Sequence, residues 1–131
     1  MEIESVKLVV RCQDIDASRA FYVDLLGLRI VEEWDAAEGK GCIVAPETGH
    51  GGFIELCQVA RDYNGYKEEF SHSFSNDKAD LQLRTSSVVD WTQKLRGRWP
   101  FEGPVKRPWG NTYLWLRDPD GLKVALFEGP V

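Results

Sequence analysis

Hydrophobic and polar positions divide the chain into two successive blocks with the same order of predicted elements. The first run, VKLVVRC over residues 6–12, is rich in β-branched residues and predicts a strand that is covered on most of its surface. DIDASRAFYVDLLGL then has the spacing of an amphipathic helix, with Asp14 or Asp16 as the N-cap and Gly27 as the C-terminal stop. Three β-prone runs follow, LRIVEEW, GCIVA and GFIELCQV, so this block predicts the order βαβββ.

The same order returns from residue 79 onward. DLQLRT predicts a strand, and SSVVDWTQKLRG predicts a helix that is capped by Ser86 or Ser87 and ends at Gly97. The runs GPVKR, NTYLWLR and LKVALFE predict three further strands. The second block is therefore predicted to be βαβββ as well.

This repetition predicts how the chain is organised. A curved four-stranded sheet with one helix leaves a face uncovered, whereas two such units can cover each other around a shared concavity. We predict a single α+β domain over 1–131, in which two βαβββ modules, 1–59 and 79–131, pair around a concave ligand cavity. The segment between them, 60–78, is polar but holds four aromatic residues, which is typical of a packed connector or of a lid: Tyr63, Tyr66, Phe70 and Phe74.

Composition narrows the class of partner. The formal charge of −5 disfavours binding to nucleic acid or to an anionic membrane surface, so a small-molecule ligand is expected. No apolar run is long enough to cross a membrane and the N-terminus has no signal-peptide pattern, so a cytoplasmic protein is expected. Cys12, Cys42 and Cys57 are isolated within apolar stretches, which indicates small buried hydrophobic residues and not disulfides.

Two longer motifs stand in the two blocks, RAFYVDLLGL in the first and RPWGNTYLWLRDPDGLKVALFE in the second. The turn RDPDG needs no functional reason by itself, because Pro119 presets φ and Gly121 can take positive φ. With both motifs in this order, the chain resembles the vicinal oxygen chelate superfamily, which contains glyoxalase I, extradiol dioxygenases and the fosfomycin and bleomycin resistance proteins. The resemblance covers nearly the whole chain, and it implies the glyoxalase/bleomycin resistance fold and a homodimer.

The resemblance also implies where a divalent metal would be held. Metal-using members bind it with side chains from the first and fourth strands of each block, commonly His, Glu, His and Glu. The matching positions here are Lys7, Glu55, Asp80 and Ala125, and the two pairs are 48 and 45 residues apart, as a duplication requires. An ammonium and a methyl group cannot serve as ligands, so we predict no metal and no other cofactor.

Lys7 suggests a substitute for the metal. Its ammonium can lie between Glu55 and Asp80, so that the carboxylates are not left unpaired. The alternative is that Lys7 extends to the sheet edge and pairs with nothing. The histidines, His50 and His72, fall in a loop and in the connector, away from the four strand positions.

Strand alternation and the aromatic positions together predict the ligand surface. Alternate residues of a strand share a face, and exposed indole or phenol rings stack on flat or cationic ligands at about 0.5 to 2 kcal/mol each. Inward-facing arginines and lysines favour a carboxylate- or phosphate-bearing ligand, although the PWG and LRDPDG segments are similar to bleomycin resistance proteins, which hold a cationic drug in an acidic groove. The predicted ligand-binding residues are Lys7, Arg11, Trp34, Phe53, Glu55, Asp80, Arg84, Trp109, Tyr113 and Trp115.

Three functions are compatible with these features. The first is a metal-independent small-molecule-binding protein, for instance one that sequesters an antibiotic or another aromatic or charged ligand. The second is a metal-dependent lyase, isomerase or dioxygenase of the same superfamily, with Glu55 as general base or as the one strong ligand. The third is an interaction module whose ligand site has decayed. Because Ala125 cannot bind a metal, we favour the first.

Overall fold

Two four-stranded mixed β-sheets form the framework of the chain in this computed structural model, which describes residues 1–48 and 51–131. The chain divides into two compact units, Met1–Ser73 and Phe74–Val131. Among the described residues, no helix is both long and apolar enough to span a membrane.

The first unit has a sheet with the strand order β1-β4-β3-β2. Its elements are β1 (Lys7–Arg11), α1 (Ile15–Arg19), β2 (Arg29–Ala36), β3 (Gly39–Ala45) and β4 (Phe53–Val59). Strands β1 and β4 are parallel, and the other two pairings are antiparallel. Helix α1 runs on into a wider π-helical segment, Ala20–Leu25, and a 3-10 helix, Glu68–Ser71, follows the sheet.

The second unit repeats this arrangement with the strand order β5-β8-β7-β6. Its elements are β5 (Leu81–Arg84), α2 (Val88–Leu95), β6 (Glu102–Lys106), β7 (Thr112–Arg117) and β8 (Lys123–Glu128). Strands β5 and β8 are parallel, like β1 and β4. The predicted α+β class and the repeated βαβββ order are therefore confirmed.

Capping side chains select among the predicted helix starts. The Asp14 carboxylate accepts hydrogen bonds from two backbone amides in the first turn of α1, at 2.9 and 3.4 Å, so Asp14 is the N-cap. At α2, the Ser87 hydroxyl accepts from the backbone amide of Asp90 at 3.1 Å. Both helical segments are followed by a glycine with positive φ, Gly27 at +78° and Gly97 at +79°, as predicted.

One face of each sheet packs against its helix, and this packing places the hydrophobic core. In the first unit, Val44 and Leu56 are fully buried together with Phe21 and Tyr22, whose rings meet edge to face at 4.8 Å. In the second unit, the corresponding buried side chains are Val88, Leu95, Leu114, Val124 and Leu126. Because side chains alternate along a strand, the neighbouring positions lie on the opposite face of each sheet.

The RDPDG reversal between β7 and β8 is stabilised by its own aspartate. The Asp118 carboxylate accepts hydrogen bonds from the backbone amides of Asp120 and Leu122 at 2.8 and 2.9 Å. Gly121 has φ of +83°, in the region that favours glycine. This turn sets the register of β7 and β8, in which Trp115 lies opposite Ala125.

The aromatic segment that follows β4 packs against the end of β1. Tyr66 and Phe70 meet edge to face at 5.9 Å, and the Arg61 guanidinium lies 5.3 Å from the Tyr66 ring. The Arg11 guanidinium lies 5.8 Å from the Phe70 ring. Gln13, just after β1, donates to the Ser73 hydroxyl at 3.3 Å, so the packed part of this segment extends to the end of the first unit.

Candidate functional site

A charged pair lies on the helix-free face of the first sheet. The Lys7 ammonium donates to Glu55 Oε1 at 2.7 Å, with the two side chains 42% and 20% exposed. The parallel register pairs Lys7 with Phe53 and Val9 with Glu55, so Lys7 and Glu55 are diagonal neighbours on one face. Phe53 is partly exposed beside Lys7. Three predicted ligand-binding residues are thus brought together here.

The remaining predicted residues of this unit lie at the two edges of the same sheet. Arg11, on the edge strand β1, lines a cavity of about 430 Å³ together with Phe70. Trp34, on the other edge strand β2, packs across Gly41, where an added Cβ would come within 2.9 Å of its ring. Trp34 lines a separate cavity of about 410 Å³ that also contains Asp16 and other charged residues of α1, β2 and β3.

An aromatic floor covers the helix-free face of the second sheet. It consists of Trp109, Tyr113, Trp115 and Phe127. Tyr113 and Trp115 stack nearly parallel, with ring centroids 5.9 Å apart and planes 6° apart, and Phe127 stacks on Tyr113 at 5.9 Å. Trp109 meets Tyr113 edge to face at 6.2 Å, and its indole N–H donates to the Tyr113 hydroxyl at 3.1 Å. Three predicted residues therefore form one continuous ring surface.

Exposure differs strongly within this floor. Tyr113 and Phe127 are buried, Trp115 is half-buried, and Trp109 is 64% exposed. Trp109 is held in place despite its exposure, because the hydrogen bond to Tyr113 fixes its indole. The two tryptophans are therefore the accessible part of the floor, and they present rigid aromatic surface to a ligand at little cost in conformational entropy.

Ala125 forms part of the base of the floor. Its side chain is completely buried and packs in one cluster with Tyr113 and Phe127, against which Trp115 also lies. The register places Ala125 between Gln82 on β5 and Trp115 on β7. A methyl group at this position leaves room for the ring stack, which a longer side chain would displace.

The residues at the four metal-equivalent positions do not fit a divalent cation. Lys7 is an ammonium already bonded to Glu55, which alone of the four residues keeps the type common at its position in metal-using relatives. Ala125 has no donor atom. Asp80 lies just before β5 and accepts a hydrogen bond from Gln82 at 3.1 Å. Within residues 1–48 and 51–131, no three potential ligand side chains are grouped as a metal would require.

Of the two histidines, the structure describes His72, which does not lie at any of the four positions. His72 follows the 3-10 helix of the first unit, where its backbone amide bonds to the carbonyl of Glu69 at 3.1 Å. His50 lies outside the described residues.

A cationic rim lies beside the aromatic floor, and it consists of Arg84, Arg107 and Lys123. The Arg107 guanidinium lies 5.3 Å and the Lys123 ammonium 5.7 Å from the centroid of the Trp115 ring. Arg84, which is exposed on β5, is the register partner of Phe127 and shares its face. Arg84 is one of the ten predicted ligand-binding residues.

Arg107 is the residue that the sequence analysis missed. Its place above Trp115 depends on the loop after β6, where the backbone of Arg107 bonds to the carbonyl of Asn111 at 2.8 Å and to the amide of Gly110 at 2.9 Å. The signal in the sequence was its position directly before PWG, in the loop that also carries Trp109.

Acidic side chains also lie near the rim. Asp77 forms a two-pronged ion pair with Arg117, including a contact of 2.8 Å between Arg117 Nη2 and Asp77 Oδ2. The hydrogen bond from Arg117 holds the pKa of the Asp77 carboxyl below its usual value. Glu102, on the edge strand β6, is the register partner of Trp115.

None of the three cysteines takes part in a disulfide. Cys12 and Cys42 are buried and Cys57 is half-buried. Burial raises the pKa of the Cys42 thiol, and burial reinforced by the nearby Glu55 carboxylate raises the pKa of Cys57. The raised pKa values of Cys42 and Cys57 favour the protonated thiol, which is a weaker nucleophile than the thiolate.

The sequence pattern of the Glyoxalase/Bleomycin resistance protein/Dioxygenase superfamily matches residues 5–126, and the chain belongs to this superfamily. Members of this group share the fold described above. The resemblance inferred from the two motifs is thereby confirmed.

Named relatives fall into two functional groups. A probable lactoylglutathione lyase from Synechocystis sp. is 27% identical over 132 residues, covering 92% of this chain and 91% of that protein. A lactoylglutathione lyase from Salmonella typhimurium is 28% identical over 125 residues, covering 92% and 88%. Among solved structures, TnmS3, an antibiotic binding protein from Streptomyces sp. CB03234, has a TM-score of 0.73 and 25% identity, covering 99% of both chains.

Proposed function

We propose that this chain is a cytoplasmic, metal-independent small-molecule-binding protein that holds a flat ligand on the aromatic floor. One observation carries the proposal. The residue at the fourth metal-equivalent position, Ala125, is a buried methyl group, and the rings of Tyr113, Trp115 and Phe127 are packed around it. A position that supplies a ligand oxygen in metal-using relatives is here part of a stacking surface.

The first unit supports the same reading. The Lys7 ammonium supplies a positive charge beside Glu55, at the place where a metal ion would otherwise neutralise the carboxylate. Binding then depends on stacking and on charge complementarity, and no chemical step is required of the protein. The similarity to TnmS3, an antibiotic binding protein, favours sequestration of an antibiotic.

The second candidate is a lyase, isomerase or dioxygenase that uses Glu55. The two relatives named lactoylglutathione lyase favour it, because they cover most of this chain at a similar level of identity. The residues at the four metal-equivalent positions argue against a metal-dependent enzyme, since neither the Lys7 ammonium nor the Ala125 methyl group can ligate a metal.

Calorimetric titration separates these candidates. Chelator-treated protein is titrated with Ni²⁺, Mn²⁺, Fe²⁺ and Zn²⁺, with the Glu55→Gln variant in parallel, and is assayed for lactoylglutathione lyase activity. We expect no binding at one site per chain in the submicromolar range. Tight binding that disappears in Glu55→Gln, together with lyase activity, would overturn the metal-independent function.

A second titration tests the floor itself with a planar aromatic probe such as naphthamide. Each stacked ring contributes about 0.5 to 1.5 kcal/mol, so Trp109→Ala or Trp115→Leu should weaken binding by about 2- to 10-fold. Trp91→Phe is the matched control, because Trp91 lies on α2 and its indole N–H bonds to Thr85 at 2.9 Å. Equal affinities in all variants would show that the probe binds elsewhere.

We also propose that the protein is a homodimer, as the resemblance implies. Analytical ultracentrifugation at several concentrations tests this directly. A mass of one 14.9 kDa chain at all concentrations would contradict it.

A further inference from the structure

We propose that the ligand of the aromatic floor is a planar aromatic carboxylate. This inference rests on the proposed binding function and adds the charge of the ligand to it. It is carried by the cationic rim of Arg84, Arg107 and Lys123.

All three rim cations lie on or beside aromatic rings of the floor. Arg107 and Lys123 approach the same ring, Trp115, at 5.3 and 5.7 Å from its centroid. Arg84 stands next to Phe127 across the parallel pairing of β5 and β8. A ligand stacked on the two accessible tryptophans would therefore have positive charge along its edge.

The rim cations are not neutralised by ion pairs. The salt bridges of the described residues join Lys7 to Glu55, Arg19 to Glu33 and Arg117 to Asp77, and none includes a member of the rim. Contact with a ring attracts a cation without using its N–H donors. The guanidinium of Arg107 and the ammonium of Lys123 therefore keep donors for a carboxylate.

The carboxylates around the floor do not reverse this charge. Asp77, whose negative charge also acts on Lys123, is paired with Arg117, and Asp80 accepts from the side-chain amide of Gln82. The third carboxylate is Glu102, which is the register partner of Trp115 and is exposed on the edge strand β6. A cationic ligand would meet Glu102 but would also face the three rim cations, so a carboxylate is the better match.

Three probes that share one ring system test the ligand charge. Naphthoate, naphthamide and naphthylmethylammonium are titrated calorimetrically at about 50 and 300 mM salt. Charge-assisted hydrogen bonds from the rim should make naphthoate bind about 10-fold more tightly than naphthamide, and the ammonium probe should bind most weakly. Higher salt should reduce the preference for naphthoate.

Charge-removing variants locate the effect. Arg107→Gln and Lys123→Gln should each reduce the ratio of naphthoate to naphthamide affinity by about 3-fold or more, with little change for naphthamide. Arg98→Gln is the matched control, because it removes the same charge from an exposed position after α2. Circular dichroism melting confirms that each variant is folded.

The outcomes separate the two levels of inference. A preference for naphthoate that falls only in the rim variants supports the carboxylate ligand. Equal or tighter binding of naphthamide or of the ammonium probe overturns it and leaves the aromatic-binding function standing. If none of the three probes binds, the proposed function fails and the ligand class fails with it.

Discussion

Replacing Ala125 with glutamate restores the residue type common at this position in metal-using relatives, and we expect it to destabilise the protein without creating a metal site. The side chain is completely buried against Tyr113 and Phe127, so the added methylene and carboxyl group must displace packed rings. Overpacking of this kind costs about 1 to 3 kcal/mol. Burying the carboxylate costs about 2 kcal/mol more at pH 7, which gives a total loss of about 4 kcal/mol.

The charge contribution has a definite dependence on pH. Burial raises the pKa of the introduced Glu in the folded state above its unfolded value of about 4.3. The variant should therefore be most stable at low pH and should lose stability as the pH rises toward the folded pKa. Ala125→Gln, which adds nearly the same volume without a charge, is the control, and its destabilisation should not follow this pH dependence.

Urea unfolding of both variants at about pH 5 and pH 8, with and without divalent metal, measures the packing cost and the charge cost separately. The difference between Ala125→Glu and Ala125→Gln should be about 1 kcal/mol at the lower pH and about 2 kcal/mol at the higher one. Wild-type stability of the glutamate variant at both pH values, together with submicromolar metal binding, would refute the tight packing around position 125. That result would mean that position 125 faces an open site.

Three further predictions concern charged and nucleophilic groups. Because Lys7 and Glu55 are both partly exposed, Lys7→Gln should change the free energy of unfolding, measured by urea titration, by less than about 1 kcal/mol. A loss of about 3 kcal/mol would instead show that Glu55 needs Lys7 as its counter-charge. Cys57 should react with a thiol reagent much more slowly in the folded than in the urea-unfolded protein at neutral pH, and equal rates would contradict its raised pKa. The pKa of the Asp77 carboxyl, measured by NMR titration, should lie below the usual aspartate range and should rise in Arg117→Gln, and an unchanged pKa in that variant would disprove the pairing. The contribution of this pair to stability is present above the unfolded pKa and is lost as the pH falls through the folded pKa.

Several parts of the structure could be predicted from short stretches of sequence. The caps at Asp14 and Ser87 and the glycine stops after both helical segments depend on side chains next to the backbone groups they satisfy. The same is true of the RDPDG turn. Because these interactions are local, the repeated βαβββ order and the superfamily could be identified before any tertiary contact was known.

The candidate site was predictable only in part. Alternation along β7 placed Tyr113 and Trp115 on one face, and the structure stacks them there. The sequence does not separate the ten predicted ligand residues by place, but within the first unit Arg11 and Trp34 lie on opposite edge strands of the sheet. The edge positions could not be read from the sequence, because the strand order places β4 beside β1, although β2 and β3 come between them in the chain.

The sequence by itself determined the identity of the secondary-structure elements, the superfamily and the loss of ligand atoms at Lys7 and Ala125, since each of these depends on residue type and local spacing. Only the tertiary structure decided which side chains meet. The Lys7 to Glu55 pair joins residues 48 positions apart, and the contact of Arg107 with Trp115 depends on the path of a loop. Such contacts are set by strand pairing and chain reversal, which bring together groups whose separation in sequence carries no information about their distance in space.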